Sequence, residues 1–455
     1  MTLWTGAQIA AATGGMASSD FAAASVAFDS REVGPGDLFV ALSGEATDGH
    51  RFLDQAFAQG AGGAIVSEET VHPHVRVADS FAALENLART ARQRTDARII
   101  GVTGSVGKTS AKEALWACLD RGWRGRVHRS VKSYNNHTGV PLSLARMPAD
   151  SRAAVLEMGM NHPGELAHLT TLVRPHVAIV TAIAPAHTEF FASEAAIADA
   201  KGEIFRGLEP GGIAIVPYDS PHRDRLIAAA EPHAGRIVTF GTSKAADVHA
   251  IEAMRVATGG SFVTARIGAR ELSFTLSQPG AHWVSNALAV LAAVDAVGGD
   301  LGQAGLALAE LGGLPGRGAR SMAGDTLVID ESYNANPASM RATLAVLGEE
   351  TGRRLAVLGE MRELGAASDD YHAGLAEPVL AAGVAAAVLV GEGMRPLAEV
   401  LERKVNIVHV PDASAALTVL RDLLAPGDVV LVKGSNGVGL SRVVAGLKSG
   451  QRAGA

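Results

Sequence analysis

The stretch GVTGSVGKTSAKE, residues 101–113, decides how the rest of the chain is read. The apolar pair Ile99 and Ile100 leads into it and a run of helical character starts at Lys108, so strand, glycine-rich turn and helix follow in order. Such a turn aims successive backbone N–H groups at an anion, and the helix dipole adds partial positive charge there. Lys108 can then reach outer phosphates while Thr109 offers a hydroxyl to Mg²⁺. The eight-residue phosphate-loop pattern would need a glycine where Val102 stands, so the loop is the shorter Gly104-Ser105-Val106-Gly107-Lys108-Thr109-Ser110.

Outward from that loop, apolar strands alternate with helical stretches from about residue 81 to 312. Strands are expected near 99–102, 154–157, 177–181 and 214–216, which predicts a mostly parallel sheet covered on both faces. Glu157 ends one strand and His187 follows another, so a carboxylate and an imidazole arrive at the edge that carries the loop, where ligands collect. Lys201 shares a helical face with Ile197, Ile204, Phe205 and Leu208. Two readings fit a lysine there: its head snorkels past its neighbours, or burial depresses its pKa and makes it reactive toward CO₂, giving a carbamate that can ligate Mg²⁺. Residues 236–276 read as an antiparallel insertion with a turn at 268–270, and a helix holding Asn286 follows.

Before residue 80, short strands and helices end in two turns, Asp29-Ser30-Arg31 and GEATDGH (44–50) with Asp48 and His50. From about 313 a further α/β section begins, with strands near 327–330, 355–358, 387–390, 407–410 and 429–432. The segment GSNGVG (434–439) lacks the opening of a dinucleotide fingerprint, so no nicotinamide cofactor is expected.

With 455 residues and 47% hydrophobic content, the chain can build two to four cored domains. A net charge of −7 gives no general attraction to nucleic acid. Arg121, Arg124, Arg126, Arg129 and Lys132 form a local basic run with His128, read as a solvated surface segment. The single cysteine, Cys118, excludes an intramolecular disulfide or cysteine metal cluster. No apolar run is long enough to span a membrane and no signal peptide is indicated, so a cytoplasmic enzyme is expected.

Several segments together resemble the Mur ligases, the ATP-dependent amide-forming enzymes of peptidoglycan assembly, over nearly the whole chain. They are DSREVGPGDLFVAL with DGHRF, TGSVGKTSAKE, NNHTGVPLSL, LEMGMNHPGEL, AHTEFF, IADAKGEIF, DESYNANPASM, GEMRELG and LVKGS. GKTS-x-KE, NN-x-x-GVPL and D-x-SYNANP-x-SM point to the branch that adds D-alanyl-D-alanine to UDP-N-acetylmuramoyl tripeptide. Sister branches add a diamino acid to the UDP-linked dipeptide. The resemblance implies three α/β domains: UDP-sugar-binding (1–80), a parallel-sheet ATPase with an antiparallel insertion (81–312), and a Rossmann-like C-terminal domain (313–455) that closes over the site. It also implies a monomer.

By the same resemblance, Gly104, Ser105, Val106, Gly107, Lys108, Thr109 and Ser110 hold ATP phosphates, and Thr109, Glu157 and His187 hold Mg²⁺ with a carbamylated Lys201. Lys108, Lys201 and His187 are the implied catalytic set. Asn136, Asn286, Arg317 and Asp330 are implied nucleotide contacts, and Ser30, Arg31, Asp48 and His50 UDP-sugar contacts. The chain departs from the family at Trp283, Asn436 and Ala46. From a different class, a nucleotide-dependent switch lacks support, since there is no Asn-Lys-x-Asp base-reading motif and a lysine on an apolar face would have no purpose in it.

Overall fold

The computed structural model describes residues 2–449 apart from Glu45, Ala46, His187 and Thr258. Within them the chain forms three α/β domains, each built on its own large sheet. The central sheet has nine strands, with the phosphate-loop strand Arg98–Thr103 between Val177–Val180 and Ala153–Glu157, all parallel. All but the first residue of Arg98–Thr103 are buried, as a strand covered on both faces requires. Register sets the site: Glu157 lies opposite Val102 and Val180 opposite Thr103, so the loop, Glu157 and Thr181 emerge at one edge.

The expected antiparallel insertion is corrected in one respect. Arg236–Gly241 is parallel to Ile213–Pro217 and belongs to the central sheet, which Val248–Arg255, Ser261–Ile267 and Arg270–Leu276 then extend. Antiparallel pairing begins only at Val248–Arg255 with Ser261–Ile267. Helix Ala281–Ala296 packs apolar residues such as Leu288 and Leu291 against this sheet, leaving Asn286 at the loop end.

In the N-terminal domain, strands Val26–Ala27, Leu38–Val40 and Gly63–Val66 run parallel, and their C-terminal ends carry Ser30, Asp48 and Ser67. Helix Ser80–Gln93 is shared between cores: Leu84 and Leu87 pack with the N-terminal strands, while Ala88 packs with Ile99 and Leu156 of the central sheet. Trp4 Nε1 donates to the Ala145 carbonyl at 2.8 Å, and the Arg94 guanidinium lies 3.5 Å from the Trp4 ring centroid.

The C-terminal sheet has six strands, of which the edge strand Ala319–Ala323 is antiparallel and the rest parallel. Its register places Glu331 opposite Lys433 at the strand ends.

The basic run of 121–132 is in part a solvated surface, with Arg124, Arg126 and Lys132 exposed, and in part paired. Arg121 pairs with Glu310, Arg129 pairs with Glu113 and lies over Trp116, and Lys132 pairs with Glu32. His128 Nε2 meets the Ser143 carbonyl at 2.7 Å, and burial, with Arg146 and Arg129 nearby, pushes its pKa down to about 4. Between that value and the usual ~6.5 of an unfolded chain, the unfolded state binds the proton and the folded state does not, so falling pH favours unfolding. Stability is therefore expected to drop by up to about 3 kcal/mol through this group as pH falls from ~6.5 to ~4. His128→Gln, which keeps a donor for Ser143, should flatten that part of a urea-midpoint profile; an unchanged slope would show that His128 protonates freely in the fold.

Candidate active site

Gly104 and Gly107 shape the loop. Their φ values of +149° and +86° are disfavoured for side-chain-bearing residues, and the space is closed as well. A Cβ at Gly104 would sit 2.0 Å from Thr181 Oγ1, and one at Gly107 2.7 Å from Asn286 Oδ1. Thr181 Oγ1 donates to the Val106 carbonyl at 2.6 Å, and Ser105 Oγ donates to the Ala184 carbonyl at 2.8 Å, pinning the loop to the neighbouring strand end. Helix Lys108–Trp123 starts without a side-chain cap, so the amides of its first turn remain open to an anion. Lys108 Nζ donates to the Gly104 carbonyl at 2.7 Å. Its pKa is lowered, chiefly by burial, with Arg317 adding to the effect and Glu157 opposing it.

Glu157 is 1% exposed. Its carboxylate accepts from Thr109 Oγ1 at 2.9 Å and Asn135 Nδ2 at 2.7 Å, with Lys112 Nζ at 3.8 Å. Among the described residues there is no cluster of three or more His, Cys, Asp and Glu able to cage a metal. A carboxylate, a hydroxyl and an amide oxygen are hard donors that suit Mg²⁺, which keeps waters and takes its remaining ligands from phosphates, so this donor set fits that ion. His187 lies outside the described residues.

Lys201 sits in helix Glu194–Gly202, which gives way to a 3₁₀ turn at Glu203–Gly207 and does not run on as one α-helix through the apolar stripe. The ammonium does not snorkel: the residue is 1% exposed, beside Ile197, Ile204 and Phe205, all fully buried. It has no carboxylate or hydrogen-bond partner among the described residues. Burial, reinforced by the charge of Lys108, holds its pKa well below the ordinary lysine value. A buried cation next to another cation calls for an anion or for loss of its own charge.

A cavity of about 460 Å³ opens between the central and C-terminal domains. The phosphate loop, Glu157, Asn135 and Asn286 line one side, and Arg317, Glu331, Tyr333, Asn336 and Lys433 the other. Arg317 lies over the Tyr333 ring at 4.0 Å and donates to Ser133 Oγ at 3.3 Å, bringing the linker onto the loop side. Lys433 Nζ lies 3.5 Å from Glu331 Oε2. Burial raises the Glu331 pKa and lowers that of Lys433, each opposed by the other's charge.

Two expected nucleotide contacts are placed differently. Asn136 Oδ1 accepts from Gly139 N at 2.9 Å and Thr138 Oγ1 at 3.0 Å, holding the start of helix Gly139–Ala145, and its neighbour Asn135 reaches the cavity. Asp330 spends its oxygens on Gly316 N at 2.9 Å and Ser332 Oγ at 2.6 Å, holding the linker that carries Arg317. Ser133, Asn135, Glu331 and Lys433 escaped sequence reasoning; NNHTGVPLSL, DESYNANPASM and LVKGS flagged their neighbourhoods without resolving which side chain points inward.

The expected UDP-sugar residues lie in the N-terminal domain. Ser30 is buried and donates to Gln55 Oε1 at 3.1 Å, whereas Arg31 is exposed and pairs with Asp29 at 2.6 Å. His50 Nε2 accepts from Ser67 N at 2.9 Å, so Nδ1 carries the proton donated to Asp48 at 2.7 Å. The His50 amide and ring hold the Asp48 pKa below the usual value.

Residues 23–99 match the model described as "Mur ligase family, catalytic domain", residues 102–294 "Mur ligase middle domain", and residues 318–436 "Mur ligase, glutamate ligase domain". UDP-N-acetylmuramoyl-tripeptide--D-alanyl-D-alanine ligase of Escherichia coli is 37% identical over 440 residues, 96% of each chain. The chain belongs to the Mur ligase family. Among solved structures, MurF from Acinetobacter baumannii superposes with a TM-score of 0.86 at 31% identity, covering 98% of this chain and 99% of that one. MurF from Thermotoga maritima in complex with ADP gives 0.79 at 27% identity, covering 95% and 98%.

For this Mur ligase, Gly104→Ala is expected to weaken binding of a non-hydrolysable ATP analogue by at least about tenfold, roughly 1.4 kcal/mol, with far-UV circular dichroism unchanged. Undiminished affinity by calorimetry would mean that phosphates do not lie against this loop.

Proposed function

We propose that this Mur ligase joins D-alanyl-D-alanine to UDP-N-acetylmuramoyl tripeptide in an ATP-dependent reaction. What carries the reading is the cavity in which the phosphate loop and Glu157 face the 330–340 segment, DESYNANPASM. The name of the E. coli relative supports the substrates. No helix among the described residues is long and apolar enough to cross a membrane. The reading implies a monomer at work in the cytoplasm, where soluble UDP-linked precursors and ATP are available.

In the proposed reaction a carboxylate oxygen of the tripeptide attacks the γ-phosphorus of ATP, and ADP leaves. The amine of the dipeptide then attacks the carbonyl carbon of the acyl phosphate, inorganic phosphate departs and the amine loses a proton. Positioning and charge neutralisation dominate such chemistry. Lys108 and the open amides at the start of helix Lys108–Trp123 would hold the phosphates, Asn286 and Arg317 the rest of the nucleotide. Asp330 would exchange Ser332 for a ribose hydroxyl. Thr109 and Glu157, with Asn135 beside them, would hold Mg²⁺, with His187 as a further ligand; the ion supplies charge neutralisation on the phosphates. Ser30, Arg31, Asp48 and His50 would take the UDP-sugar. The C-terminal domain, through Arg317 and Lys433, would keep water from the acyl phosphate.

We also propose that Lys201 is carbamylated. A neutral Nζ attacks CO₂ and loses a proton, replacing a cation beside Lys108 by an anion. That converts a like-charge contact into an attractive one, which the burial of Lys201 beside Lys108, with no hydrogen-bond or carboxylate partner among the described residues, calls for.

Phosphate release from ATP should require the tripeptide and D-alanyl-D-alanine together; release only with a UDP-dipeptide and a diamino acid would assign a sister activity. Lys201→Ala should reduce turnover at least about a hundredfold, within the range for removing one preorganised electrostatic group, with partial rescue by short carboxylic acids. Full activity of Lys201→Ala without them would remove the carbamate.

A further inference from the structure

Segment 130–136, SVKSYNN, is a place where all three domains meet, and its side chains alternate. Lys132 and Tyr134 turn to the N-terminal domain, where both reach Oε1 of Glu32, the tyrosine hydroxyl donating at 2.7 Å. Ser133 and Asn135 turn the other way. Ser133 Oγ lies 3.4 Å from Thr109 Oγ1 and accepts from Arg317, and Asn135 Nδ2 donates to Glu157. The backbone here is a turn, closed by Tyr134 N on the Val131 carbonyl at 3.3 Å, and it is this turn that sends Lys132 and Tyr134 to one side and Ser133 and Asn135 to the other.

The segment has little slack. Lys112 Nζ donates to the carbonyls of Ser130, at 3.1 Å, and Lys132. Gly159 N donates to the Asn135 carbonyl at 2.7 Å. A Cβ at Gly139 would lie 2.5 Å from the Tyr134 carbonyl carbon, and one at Gly159 2.7 Å from Asn135 Oδ1. Lys132 itself has a φ of +52°, a left-handed conformation that its anchored neighbours maintain. Glu32 closes the turn Ser30–Glu32, whose first two residues are the proposed UDP-sugar contacts. Its carboxyl is partly buried, yet the Lys132 and Tyr134 hydrogen bonds keep its pKa below the usual value.

We infer that Glu32 is a positioning residue for the nucleotide site, acting through Lys132 and Tyr134 to set Ser133 and Asn135 beside Thr109 and Glu157. The UDP-sugar loop and the nucleotide site are thereby linked: a ligand that holds the Ser30–Glu32 turn favours the ordered nucleotide site and tightens the nucleotide, and by reciprocity the nucleotide tightens that ligand by the same factor. This rests on the assignments of those two sites proposed above. Two arrangements differ in energy: the segment latched on Glu32 with Asn135 on Glu157, and the segment released at both ends.

The test is calorimetric binding of Mg·AMPPNP to the full chain, with and without UDP-N-acetylmuramoyl tripeptide. Wild type should bind the analogue about fivefold more tightly when the UDP substrate is present, the lower end of ordinary coupling. Glu32→Gln, and independently Tyr134→Phe, should each weaken the analogue several-fold and bring the enhancement close to one. Asn135→Ala should weaken it too, and adding Glu32→Gln to that variant should cause little further loss. Unchanged affinity and enhancement in Tyr134→Phe would overturn the inference, as would losses that simply add in the double variant, or a lowered thermal midpoint with the enhancement intact. If Glu32→Gln does not fold, Tyr134→Phe and Asn135→Ala decide by the same criteria. Wild type that binds no analogue would overturn the nucleotide assignment and this inference with it; normal binding without a Tyr134 effect overturns the inference alone.

Discussion

A carboxylate 1% exposed at the end of a buried strand has to be surrounded by donors, and at Glu157 that requirement arranges the centre of the molecule. Its backbone amide donates to Ser130 Oγ, and its oxygens accept from Thr109 and Asn135, with Lys112 nearby. Those donors come from the phosphate-loop helix and the 130–136 segment. One side chain thus fixes where a helix start and a connecting segment stand relative to the sheet. Replacing Glu157 by an apolar residue would leave the Thr109 hydroxyl and the Asn135 amide without the acceptor that orients them, a cost borne by geometry as well as stability.

The same edge carries an opposite imbalance. Lys108 and Lys201 are both buried, burial lowers the pKa of each, and the charge of Lys108 lowers that of Lys201 further. Across the cavity, Glu331 and Lys433 neutralise one another. The central side is thus primed for anions and the C-terminal side is nearly self-satisfied. A polyphosphate would be taken from the central side, with the C-terminal domain contributing mainly coverage and the guanidinium of Arg317.

The loop, the parallel strands around it and the outline of three α/β domains were legible because apolar runs broken by glycine leave a local signal in sequence. Register was not. That Glu331 faces Lys433, or that Asn135 and not Asn136 turns inward, follows from which strands pair and where an irregular segment twists. Neither leaves a periodic trace. Asp330 shows the same limit: sequence put a carboxylate at a strand end, but not that its oxygens also hold the linker amide of Gly316 and Ser332. Lys201 lay between these cases, since spacing put it on an apolar stripe but only three-dimensional packing showed that the residue is 1% exposed, with no hydrogen-bond or carboxylate partner among the described residues.

Helix Ser80–Gln93 supplies Leu84 and Leu87 to the N-terminal core and Ala88 to the central one, and helix Gly139–Ala145 sends Leu142 and Ala145 into the first and Val140 and Leu144 into the second. The N-terminal domain is therefore not an interchangeable cassette. A chimera joined at residue 80 would ask a foreign pair of helices to fit a surface shaped for these side chains. Substitutions on either side of that seam have to be matched on the other, so the two domains are constrained to diverge together.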